Sequence, residues 1–165
     1  MSPEPIFQIH LVLGYVAWLL CFGAYIWPWL RGMEPVAAQR AIATLHGFRF
    51  FGLVFILPGA VGNLPAEFTP FAAWGDFATG VLALLALALI RVRPLFWALT
   101  VAFNAVGVID LLGDYYHAIM LGVPAIAGAF GPTYWIPVIY VPILMITHIT
   151  AFYLMLKPMT RRAVA

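Results

Sequence analysis

Five apolar runs, each long enough to cross a lipid bilayer, dominate the chain: residues 6–30, 42–62, 71–90, 95–117 and 133–156. The hydrocarbon core of a bilayer is about 30 Å thick and takes roughly 20 residues of helix to span. Within it the backbone must satisfy its own hydrogen bonds, which a continuous helix does. The expected fold is therefore all-α: one integral membrane domain over residues 1–165, built as a bundle of five transmembrane helices. Only 8% of the residues are charged, against roughly a quarter in soluble domains. Little sequence lies outside the five runs, so no soluble module is expected. The start, MSPEPIF, lacks the basic segment of a signal peptide, and the first run is expected to stay as a span.

Basic residues orient the bundle. Arg31 and Arg40 separate runs one and two, Arg91 and Arg93 separate runs three and four, and Lys157, Arg161 and Arg162 follow run five. Five spans put all seven on one side, which the positive-inside rule makes cytoplasmic, with the N-terminus outside. Arg49, inside run two, completes the eight basic residues. The net charge of +2 thus reports topology, and no basic stripe exists for nucleic acid. Trp27 and Trp29 at one end of run one, and Tyr134 and Trp135 at the start of run five, suit an interfacial aromatic belt. Pro58 and Gly59 mark a kink or early unwinding of run two, and Pro137 and Pro142 interrupt run five. The uncharged connector AIMLGVPAIAGAFGP is expected to rest in the interface or to lie over the outer mouth of the bundle.

The stretch NAVGVIDLLGDYYH places Asp110, Asp114 and His117 on one face of helix four, at i, i+4 and i+7. By helix rise, His10 lies roughly 6 Å, Asp76 roughly 8 Å and Asp110 roughly 10 Å below the outer face. Charges inside a span cost about 2.5–3.5 kcal/mol on insertion scales and face the bundle interior. These residues outline an outward-facing polar pocket of Asp76, Asp110 and His10, with Asp114 at its rim. It would take a small hydrophobic or cationic ligand or an ion. No tight metal-ligand spacing such as HExxH occurs. The alternatives are structural: Asp76 as a helix cap, Asp110 as a packing partner of His10, Asp114 as a solvated rim residue.

A second cluster lies toward the cytoplasm: His46 and Arg49 on run two, Asn104 on run four, and Thr147, His148 and Thr150 on run five. Arg49 has no acidic partner at its own depth by this count. It would snorkel to lipid phosphates, bond freed carbonyls or Asn104, or reach upward to Asp110. His46 and His148, on facing spans, are the pair through which a haem b group would be held if the chain were an electron carrier. An accessory subunit of a membrane complex, or a homo-oligomer, is a further reading, because GAYIW and GVLALLALA offer small-residue packing faces. Acid–base isomerase chemistry needs no more than a paired acid and base, but no substrate is indicated.

The segments LHGFRFFGLVFILPG and YWIPVIYVPILMITH resemble a group of small, uncharacterised multi-pass membrane proteins of bacteria. That resemblance implies the inner membrane as location and adds no activity. A fainter resemblance is to EXPERA-type proteins, the sigma-2 receptor and sterol isomerases, which enclose a ligand near membrane-buried acids. Asp76 and Asp110 would take that part here, in five spans where that family has four.

Overall fold

The computed structural model describes residues 2–156; Lys157, Arg161 and Arg162, used above for orientation, lie outside them. Every regular element among the described residues is helical. Among the described residues, four helices are long and apolar enough to cross a membrane: α1 (Pro3–Arg31), α3 (Thr69–Ala88), α4 (Arg93–Met120) and α5 (Ile136–Leu156). The second apolar run takes another form. Helix α2 (Pro35–His46) passes directly into a 3-10 stretch, Gly47–Ile56. Helical geometry ends at Leu57, whose ψ is 120°. The cause is local: a proline disfavours the α region in the residue before it, and Pro58 follows.

The 3-10 stretch sets which side chains turn inward. With three residues per turn, positions i and i+3 eclipse. His46, Arg49, Gly52 and Phe55 therefore form one buried line, while Phe48 and Phe51 face outward. Prolines shape two other helices. A π turn, Phe22–Ile26, lies just ahead of Pro28 in α1, and a second, Ile136–Tyr140, just ahead of Pro142 in α5. The wider turn accommodates a ring that cannot donate to the ladder and would crowd the carbonyl one turn back. The second π turn also receives an outside donor, the Trp18 indole N–H, 2.8 Å from the Ile139 carbonyl. Helix α1 is peripheral, with only Phe7, Phe22 and Leu30 buried.

Two apolar clusters hold the bundle. One, at the end where α1 finishes, contains Leu30, Ile42, Ala83, Phe96, Phe103 and Leu154. The other, at the end where α1 begins, contains Phe7, Phe55, Phe68, Val123, Phe130 and Ile136. The uncharged connector belongs to this second cluster: its 3-10 turns within Val123–Thr133, interrupted at Ile126 and Gly131, bury Val123, Ala127 and Phe130. It is tied to the loop after Pro58 by the Gly62 N–H, 2.7 Å from the Ala129 carbonyl. The connector is thus a packed cover over that end of the bundle. Between the two clusters lies a polar layer.

Candidate functional site

Arg49 is the centre of that layer. It is the largest fully buried side chain among the described residues, with 0% exposure. Its Nε donates to Asp76 Oδ1 at 2.6 Å on α3, and its Nη2 donates to Asp110 Oδ2 on α4. The remaining Nη1 lies 3.1 Å from His148 Nε2 on α5 and 3.4 Å from the Gly107 carbonyl. One guanidinium therefore joins the 3-10 stretch, α3, α4 and α5. Of the three arrangements expected for Arg49, the structure has the one that reaches Asp110, with Asp76 as a second acidic partner at the same depth, in place of snorkelling to lipid. Helical structure in the second run ends at Ile56, and 3-10 residues rise about 2.0 Å each, so Arg49 lies roughly 14 Å from the end of its segment. Asp76 and Asp110 lie roughly 10 and 15 Å from the corresponding ends of α3 and α4. All three share one level.

The hydrogen-bond network fixes the imidazole tautomers. A guanidinium only donates, so His148 Nε2 accepts and its Nδ1–H donates to Asn104 Oδ1, 2.9 Å away. Asn104 Nδ2 in turn donates to the Thr100 carbonyl at 2.8 Å. His46 Nε2 lies 3.0 Å from the Thr147 hydroxyl oxygen. That hydroxyl gives its own hydrogen to the carbonyls of Ile143 and Leu144, so His46 donates from Nε2. With Nε2 accepting, the His148 imidazole is neutral in this arrangement.

Glycines make the space for these groups, and none of them is among the site residues the sequence singles out. A Cβ at Gly75 would occupy the place of the Asp110 carboxylate; one at Gly52 would strike the Asp76 side chain, 2.7 Å from its Cγ. At Gly107 it would meet the His148 ring and stand 2.7 Å from Arg49 Nη1. The legible signal was position: Gly52 lies three residues after Arg49, Gly75 directly before Asp76, and Gly107 three before Asp110.

Two carboxylate oxygens in this region, Asp110 Oδ1 and Asp114 Oδ1, are buried without a hydrogen-bond donor, as is His46 Nδ1. Asp110 lines a groove between α3 and α4 of about 530 Å³, whose other walls are Pro70, Phe71, Trp74, Gly75, Val106 and Ile109. Apart from the Asp110 carboxylate, the side chains of those walls are apolar or indole.

The expected site residues divide as follows. Asp76, Asp110, Arg49 and Asn104 belong to one network with His148, and Asp114 lies one turn along α4 from Asp110, half-buried. His10 is not among them: it is exposed, and its Nδ1 lies 3.0 Å from the Tyr134 hydroxyl. His46 and His148 pack against each other, ring centroids 3.9 Å apart. An iron and its macrocycle do not fit between rings in contact, and His148 Nε2 already accepts from Arg49. These residues do not fit a bis-histidine haem site.

Fold and site together define an all-helical chain with apolar helices of membrane-crossing length around a charged core. The chain belongs to the family described as a domain of unknown function, DUF8737, which matches residues 6–156. No curated protein and no solved structure matches it.

Proposed function

We propose that this is a five-span protein of the bacterial inner membrane that binds a small amphiphile at Asp110. The apolar body would lie in the groove between α3 and α4. A cationic or hydrogen-bond-donating head would pair with the free carboxylate oxygen. The observation that carries this reading is the unpaired, buried Asp110 Oδ1 in a carboxylate that lines an otherwise apolar groove. A buried acceptor left without a donor costs about 1–3 kcal/mol, which a bound donor would recover. Formal charge points the same way, since Asp76 and Asp110 share one guanidinium and Asp114 lies one turn further along α4. As the second span, α2 and the 3-10 stretch together reach about 38 Å, from about 1.5 and 2.0 Å per residue, enough to cross. The basic residues would face the cytoplasm, which sets Asp110 in the outer half and opens its groove to lipid.

The test uses purified protein in a neutral detergent and a panel of hydrophobic tertiary amines, each beside its uncharged carbon isostere. The amines should raise the thermal midpoint and the isosteres should not. Asp110→Asn, which keeps the shape and removes the charge, should abolish the difference while the protein still inserts. Equal responses to amine and isostere, or an unchanged response in Asp110→Asn, would overturn the reading.

A further inference from the structure

At the opposite end of the bundle from the connector cover lies a cavity of about 440 Å³, between the start of α2 and the turn joining α3 to α4. Arg40, Arg91 and Arg93 line it with a single carboxylate, Glu34, above an apolar wall that includes Val36 and Ile90. Its formal charge is +2. All three arginines are exposed, and the two ion pairs among the described residues both belong to Arg49. Their donors are therefore uncommitted, although residues 40 and 91–93 come from segments far apart in the chain. The first bond of the α2 ladder runs from the Ala38 N–H to the Glu34 carbonyl. The N–H groups of Val36 and Ala37, residues in the cavity wall, precede that ladder and form the helix's positive end.

We propose that this cavity binds a phosphate ester, and that its source is the headgroup of an anionic phospholipid. Three guanidiniums suit phosphate because their planar forks pair with its oxygens two at a time. Lipid is favoured over a free anion by position and by the wall. The cavity lies at the ends of α3 and α4, both of membrane-crossing length, where headgroups would sit. Val36, Ala37 and Ile90 offer a floor for the glycerol and upper acyl carbons. Basic pockets between helices at a membrane boundary are recognised lipid sites in general. The inference is independent of any ligand at Asp110.

The experiment measures the thermal midpoint of the full chain in neutral detergent against dioleoylphosphatidylglycerol, dioleoylphosphatidylcholine or inorganic phosphate. Phosphatidylglycerol should raise the midpoint by several degrees, phosphatidylcholine by much less, and phosphate at matched concentration should leave it unmoved. In the combined variant Arg40→Gln, Arg91→Gln, Arg93→Gln the apparent affinity for phosphatidylglycerol should fall at least tenfold. Glu34→Gln, which removes the opposing charge and leaves the arginines in place, should strengthen it about threefold. That second variant decides the matter if the triple variant does not fold. Equal shifts by the two lipids, an unweakened triple variant, or no gain in Glu34→Gln would overturn the site. A full shift with inorganic phosphate would overturn its assignment to lipid.

Discussion

Arg49 and Asp110 stand 61 positions apart in the chain and form a direct ion pair in the interior, the guanidinium fully buried and the carboxylate 4% exposed. Neither would be stable there alone. Removing one partner of a buried pair leaves an uncompensated charge, which is far costlier than replacing both. Asp76 shares the same cation through Nε, so the three residues act as one unit joining three segments of the bundle, and the Arg49 contact with His148 adds a fourth.

Arg49→Met should therefore destabilise strongly, by about 3–5 kcal/mol, because it strands two buried carboxylates. Replacing all three as Arg49→Met, Asp76→Asn and Asp110→Asn should recover much of the loss. Resistance to unfolding by a denaturing detergent, followed by helical circular dichroism, measures both. A single variant as stable as the parent would show that the carboxylates find other partners.

Gly75→Ala and Gly107→Ala should each cost about 1–3 kcal/mol, the usual range for overpacking a filled interior, since the added carbon overlaps Asp110 in one case and His148 in the other. Gly128→Ala is the control: its added carbon meets nothing within 4 Å, and its unfolding midpoint should match the parent's. A Gly75→Ala protein with unchanged stability would mean that Asp110 has room to move.

With five spans, a cysteine at Glu67 should react with an impermeant maleimide added to intact cells, and one at Arg91 only after the membrane is opened. Cys21 is replaced by alanine in both to remove background. External labelling at Arg91 would end the five-span arrangement, since it would move the turn between α3 and α4 to the outside.

Purified protein should show no Soret band, and added haemin should not produce a bis-histidine spectrum. The reason is spacing: His46 and His148 fill the place an iron would need. A stoichiometric Soret absorbance that is lost in His148→Ala would require the bundle to open at its centre.

What was legible in the chain was whatever local composition decides. Apolar runs of membrane length specify helices because lipid offers the backbone no other partner. Four of the five runs are long apolar helices. Proline positions, too, mark their own disturbance: the helix ends before Pro58, and π turns precede Pro28 and Pro142. The shared level of Asp76 and Asp110 followed from helix rise alone. Arg49 was misplaced for a specific reason. Counting depth from residue 62 places Arg49 too far from the outer end: helical structure stops at Ile56, ahead of Pro58, which brings the guanidinium to the level of the aspartates, and the threefold period of the 3-10 stretch turns it inward. A run that is hydrophobic on every side carries no periodic signal by which the two kinds of helix can be told apart. The pairing of Arg49 with two carboxylates, the contact of His46 with His148, and the glycines that admit them are relations between segments dozens of residues apart. They exist only once the helices pack, because close approach of backbones decides which side chains have room.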